Sequence, residues 1–150
     1  MPLNKAFEGK VFTTSEPWEV TAPDIRAFAD AIGDPNPVYR DEAAAKEAGH
    51  DGIIAPPTFL IKMTFSLDPS VFLDPELGLN LSMVVHGEQE FRFERPVKAG
   101  DRLTGTPKIT SIATKGRNEF MVIDADVTTE DGELVCTMGN TIVSRGTAEG

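Results

Sequence analysis

The spacing of apolar positions divides this chain into a helical first half and a stranded second half. Ile25, Phe28, Ala29 and Ile32 recur at i, i+3, i+4 and i+7, which is one apolar face of a helix. Thr21 is placed to cap that helix, Ala22 and Pro23 suit its first turn, and Asp24 completes a weak capping box. Gly33 ends it. Ahead of it, residues 9–20 alternate loosely and predict a short strand or an extended arm. Asp41 to Ala48 predicts a short alanine-rich helix stopped by Gly49. Thr58 to Leu67 is apolar on most faces and predicts a deeply buried helix, with Pro57 just before it or in its first turn. Residues 68–80 hold two prolines and little period, as a connection would.

From Leu81 onward the period shortens to two. Leu81 to His86 is a candidate strand, and Glu90 to Glu94 alternates strictly, so Phe91 and Phe93 share a face. Val97 to Asp101 reads as a turn. Leu103 to Ile112 and Glu119 to Thr129 are candidate strands, separated by the polar loop Thr114 to Asn118. Asp131-Gly132 is the strongest hairpin signal, and Glu133 to Ser144 returns as the last strand. Helices first and antiparallel strands afterwards define an α+β chain, in which the buried helix must pack on one face of the sheet.

A length of 150 residues suits one domain over residues 1–150, with 146–150 as a flexible tail. The net charge of −10 argues against nucleic acid or an anionic membrane surface as partner. Cys136 is the one cysteine, so no internal disulfide can form. The N-terminus lacks the apolar core of a signal peptide, and no run approaches the roughly 18 apolar residues of a membrane span. A cytoplasmic setting is expected. His50 and His86 are the two histidines, too few and too isolated to suggest a metal site.

Four segments resemble the MaoC-like dehydratase family. Ile32-Gly33-Asp34-Pro35-Asn36-Pro37-Val38-Tyr39 is similar to the (R)-specific hydratase signature, in which G-D-x-N-P-hydrophobic-His precedes a short helix. Gly52 to Phe59 is similar to the stretch leading into the central helix. Val85 to Phe93 and Arg95 to Leu103 resemble the strand-turn-strand that follows, Gly100 and Asp101 serving the turn. The resemblance implies a hotdog fold, an antiparallel sheet wrapped around a central apolar helix. It also implies a reaction, the interconversion of a (3R)-hydroxyacyl thioester with a 2-enoyl thioester and water. No cofactor is implied.

That reaction needs a base with a pKa near neutrality, an acid to handle water or the second proton, and an N–H aimed at the thioester oxygen. By resemblance, Asp34 occupies the acid position and Asn36 shapes the loop. The histidine position holds Tyr39, whose ordinary pKa of about 10 makes a poor base. Where the hydratases carry His-Gly, this chain has Pro56-Pro57, and Pro57 has no N–H to offer. The implied substrate-side residues are Asn36, Gly52, Ala55, Pro57 and Gly87, with His86 near the substrate-facing region.

The resemblance is therefore to the non-catalytic type of subunit in actinobacterial (3R)-hydroxyacyl-ACP dehydratases. It implies an acyl-CoA or acyl carrier protein substrate, and a homodimer or a heterodimer with a catalytic MaoC-like chain. Two other functions remain open: a self-sufficient homodimeric hydro-lyase using Asp34 with His86 or His50, and a non-enzymatic acyl-thioester-binding protein. Simpler structural roles stand beside each residue. Asp34 and Asn36 suit local backbone caps, and Tyr39 suits a buried residue with a bonded hydroxyl. Phe59, Met63, Phe65 and Phe72 suit core better than an acyl tunnel, and Lys115-Gly116-Arg117 suits a solvated turn better than a phosphate contact.

Overall fold

The computed structural model describes residues 1–67 and 69–148, and for residues 65–67 the backbone alone. The predicted Phe65 core position and the last two residues of the predicted tail lie outside what is described. Among the described residues, five antiparallel strands form one sheet: β1 (Trp18–Glu19), β2 (Val84–Phe93), β3 (Arg102–Lys115), β4 (Asn118–Thr129) and β5 (Leu134–Ser144), in the order β1-β3-β4-β5-β2. The N-terminal arm lies along β3, its Gly9, Phe12 and Ser15 amides donating to the carbonyls of Ile109, Pro107 and Gly105 at 2.8 Å. One sheet edge is thereby covered. The other edge is β2, ten residues long, with β5 as its only neighbour among the described residues.

Helix α1 (Ala22–Ala31) starts where its cap predicts, with the Thr21 side chain accepting from the Asp24 amide at 3.2 Å. Ile25 and Ala29 are fully buried, whereas Ile32, expected on the same face, caps the C-terminus and is 48% exposed. Helix α2 (Glu42–Glu47) is capped by Asp41, which accepts from the Ala43 and Ala44 amides. The predicted helix from Thr58 begins later, as α3 (Ile61–Leu67), because Pro56 to Leu60 form turns closed over three residues, Phe59 N–H to Pro56 O and Ile61 N–H to Thr58 O. Phe59, Leu60 and Met63 are fully buried, each contributing about 1.5–3 kcal/mol. Trp18 stacks on the Phe59 ring at 5.4 Å and Phe28 meets it edge-on at 5.5 Å. The predicted connection holds a further short helix, α4 (Pro69–Phe72), with Pro69 at its first position, where a missing N–H costs nothing. Phe72 is half-buried against the core.

Of the two separate segments expected at 81–86 and 90–94, Leu81–Met83 form a 3-10 turn, and Val84–Phe93 is one continuous strand, β2, with a bulge between His86 and Glu88. Gly87 makes the bulge possible. A Cβ there would lie 3.0 Å from Val143 Cγ2 and 3.2 Å from the Thr141 carbonyl oxygen. Gly87→Ala is therefore expected to cost about 1–3 kcal/mol, read as a lower urea midpoint; an unchanged midpoint would show that the bulge relaxes freely. Glu119 is buried at the start of β4, where the Leu3 amide donates to both its carboxylate oxygens at 3.0 Å and the Thr147 hydroxyl to one of them at 2.7 Å. It ties both ends of the chain to the sheet.

Candidate active site

The loop after α1 is held by its own side chains. Gly33 turns the chain at φ +71°. Asp34 Oδ1 then accepts from the Asn36 amide at 3.0 Å, and Asn36 Oδ1 accepts from the Val38 amide at 3.2 Å, capping a tight turn at Pro37–Tyr39. Arg40 closes the loop from outside, donating to the Asp34 carbonyl at 2.7 Å and pairing with Asp30. Residues 53–55 run antiparallel to 97–99, with the Ala55 amide donating to the Val97 carbonyl at 2.7 Å and the Ala99 amide to that of Ile53 at 3.0 Å. The Ile54 amide reaches Val38 O at 3.3 Å. These bonds bring the Tyr39 turn and Pro56-Pro57 to one place.

There a cavity of about 350 Å³ opens, walled by Tyr39, Ala55, Pro57, Phe93, Arg95 and Val97, among others. Three residues predicted from the sequence thus meet: Tyr39, Ala55 and Pro57. Asp34 and Asn36 sit in the loop beside them. Gly52 forms a bend before Ile53 and does not line the cavity. His86 and Gly87 are not brought there within one chain, since they lie six or seven positions along β2 from Phe93, about 20 Å away. His86 Nε2 instead contacts Gln89 Oε1 at 3.0 Å, and Gly87 lines a shallow cavity with Ser111, Phe120 and Val122. His50 occupies a cleft of about 150 Å³ with Asp51 and Lys98, which shares Ile54, Arg95 and Pro96 with the first cavity.

The electrostatics fit the sequence of the site. Burial, and next the negative charge of Asp34, hold the Tyr39 phenol above its ordinary value of 10.0. Only 8% exposed, Tyr39 stays protonated near neutrality and can donate a hydrogen bond without acting as a base. Cys136, the cross-strand partner of Phe93, is buried and its thiol is pushed up to about 11, chiefly by desolvation. It is no nucleophile at neutral pH. Among the described residues no three His, Cys, Asp or Glu side chains gather as metal ligands.

Phe93, Val97 and Arg95 are among the wall residues that sequence reasoning missed. Arg95 belongs to the segment whose Gly100 and Asp101 serve the turn, and it lines the cavity while its guanidinium grips Asp101. Lys115 lies over the Phe120 ring at 5.1 Å, beside the turn at Gly116-Arg117.

A curled antiparallel sheet carrying an apolar helix, with this loop and cavity at its end, is the hotdog fold of MaoC-like dehydratases. Two solved structures match it closely. The C-terminally truncated HadBC (3R-hydroxyacyl-ACP dehydratase) complex of Mycobacterium tuberculosis aligns at TM-score 0.79 and 28% identity, over 91% of this chain and 96% of that one. A MaoC-like dehydratase aligns at TM-score 0.87 and 27% identity over 94% of this chain, which spans 43% of the other's length. The family model described as "FAS1-like, dehydratase domain region" matches residues 6–138, and the UPF0336 protein of Streptomyces avermitilis is 46% identical over all 150 residues, covering 100% of both chains. The chain belongs to this FAS1-like dehydratase-region family, and it is a hotdog protein of the hydratase and dehydratase type.

Proposed function

We propose that this chain is the substrate-supporting half of a two-chain (3R)-hydroxyacyl-thioester dehydratase, acting on acyl-CoA or acyl carrier protein thioesters in the cytoplasm. The observation that carries the reading is the cavity that Tyr39 and Pro57 both line. Dehydration removes the α-proton, places negative charge on the thioester oxygen and expels the β-hydroxyl as water. Here the position expected for the base is a phenol held above its ordinary pKa, and the position expected to give an oxyanion N–H is a proline. Apart from Glu94 and Arg95 the remaining wall is apolar, which suits an acyl chain.

A catalytic MaoC-like partner would supply the histidine, the aspartate and the N–H. Edge strand β2, with Val85 and Phe93 exposed, suits pairing with such a partner, since an open edge invites a second sheet. The similar HadBC (3R-hydroxyacyl-ACP dehydratase) structure is itself that of a complex. The test is hydration of a 2-enoyl-CoA by the purified chain, alone and co-expressed with a MaoC-like partner. The expected result is turnover with the partner and a rate near that of buffer without it; robust turnover by the chain alone would overturn the reading.

One observation favours a second reading. His50 lies in the cleft that shares a wall with the Tyr39 cavity, so a homodimer using Asp34 with His50 is chemically conceivable. It requires that the isolated chain be active and that His50→Ala abolish that activity.

A further inference from the structure

The cleft beside the Tyr39 cavity differs from it in character. Helix α2 ends at Glu47, and the His50 amide, donating to the Ala45 carbonyl at 2.9 Å, fixes the residues that follow. Lys98 stands across a β-bridge from Ile54, and directly paired residues share a face. His50, Asp51, Ile54 and Lys98 thus come together around one cleft, which adjoins the Tyr39 cavity at Ile54, Arg95 and Pro96. Its two cations are held very differently. Each guanidinium nitrogen of Arg95 is already bonded, to Asp101, Glu133 or the Pro96 carbonyl. Among the described residues Lys98 Nζ meets Asp51 alone, at 3.4 Å, and the Asp51 side chain is 89% exposed. A pair so long and so open to water contributes little. The His50 ring makes no hydrogen bond among the described residues. Two donors therefore stand beside the cavity without a firm partner. The other basic group weighed as a phosphate contact, Lys115-Gly116-Arg117, lies at the opposite end of β3 from the Lys98 turn.

We propose that Lys98 and His50 bind the phosphate of a pantetheine arm whose thioester end enters the Tyr39 cavity. The inference rests on the acyl-thioester reading above and names the part of the substrate held outside the cavity. A pantetheine arm is uncharged along its length and ends in a phosphate, whether coenzyme A or a carrier protein bears it. A mostly apolar cavity adjoining two available donors matches a ligand that is apolar at one end and anionic at the other. Lysine meets phosphate as a compact charge, and charge-assisted bonds of this kind are the strong ones. Asp51 competes for Lys98, but its carboxylate faces water and turns away at little cost. Asp51 and Lys98 therefore act on the phosphate with opposite signs.

The experiment is calorimetric binding of four thioesters with the same acyl group: octanoyl pantetheine, octanoyl phosphopantetheine, octanoyl-CoA and octanoyl carrier protein. Each is titrated into the purified chain and into the complex co-expressed with a MaoC-like partner. Wild type is expected to prefer phosphopantetheine to pantetheine by roughly tenfold. Lys98→Gln should remove most of that preference and leave pantetheine binding unchanged, and Lys98→Arg should keep it. Asp51→Asn should tighten phosphopantetheine binding by up to roughly fivefold, a gain that damage to the fold would not give. Equal losses with octanoyl-CoA and octanoyl carrier protein in Lys98→Gln support recognition of the phosphate the two share. A loss confined to octanoyl-CoA overturns the assignment, because Lys98 then meets a phosphate of the nucleotide. Equal wild-type affinity for pantetheine and phosphopantetheine overturns the phosphate site and leaves the acyl-thioester reading standing. Failure of all four to bind either preparation overturns both.

Discussion

Replacing Arg95 with methionine is expected to lower the unfolding free energy by about 3 kcal/mol, measured by urea denaturation. The Arg95 guanidinium meets Asp101 as a fork, Nη1 to Oδ2 at 2.9 Å and Nη2 to Oδ1 at 3.0 Å. Its Nε donates to Glu133 at 2.6 Å, and Nη1 also reaches the Pro96 carbonyl at 2.9 Å. The Asp101 side chain is 6% exposed and that of Arg95 24%, so the pair is shielded from water. Asp101 further accepts from the Lys98 amide at 2.9 Å, which shapes the turn leading into β3. The hydrogen bond to Asp101, working against burial, holds the guanidinium above its already high ordinary pKa; Arg95 therefore stays charged throughout the usable pH range. Methionine keeps most of the apolar stem but leaves a buried carboxylate without its counter-charge. Glu133→Gln is the control: Glu133 is half exposed, and its loss is expected to cost under about 1 kcal/mol. Equal midpoints for Arg95→Met and wild type would show that the fork contributes nothing to stability.

The Arg95 network also shows where a sequence stops being readable. Asp101 lies six residues from Arg95, but Glu133 lies 38 residues away, on the far side of two strands. No local pattern announces that pairing, nor the burial of Glu119, which reads as an ordinary polar strand end until Leu3 and Thr147 are seen on its carboxylate. What depends on neighbours in the chain was legible. The Thr21 cap and the i, i+3, i+4 spacing define α1, and Gly132 at φ +84° makes the turn that Asp131-Gly132 predicts. Strand β2 was broken in two by the reading because it is exposed on most of both faces, which weakens the alternation, and because the bulge at Gly87 shifts its phase. The site divides along the same line. Tyr39 and Pro57 could be singled out by the resemblance to the MaoC-like motifs, and the bonds from Ile54 to Val38 and from Ala55 to Val97 explain why they meet. Phe93, Arg95 and Val97 reach the cavity only through the pairing of distant segments.

If the proposed function holds, the largest change in activity is expected from placing a base and an N–H at positions 39 and 57. Tyr39→His combined with Pro57→Gly should give the isolated chain enoyl-thioester hydration at least roughly a hundredfold above either single variant, followed as loss of enoyl absorbance. The two changes supply different needs. Histidine places a base of pKa near 6.5 where a protonated phenol stood, and glycine returns an N–H that can face the thioester oxygen. Each alone leaves the other requirement unmet, so the gain is more than additive. The pH dependence carries the assignment. The base must be neutral to accept a proton from water, so the rate should rise as pH rises through the histidine's pKa, and the Pro57→Gly single variant should lack that limb. Asp34 decides whether the restored pair suffices. Its Oδ1 accepts the Asn36 amide, and Asn36→Ala leaves that backbone bond intact while removing the cap on Val38. A double variant that binds acyl thioesters but stays at the rate of either single variant would mean that Asp34 is held by its loop in a purely structural role, and that positions 39 and 57 do not by themselves decide activity.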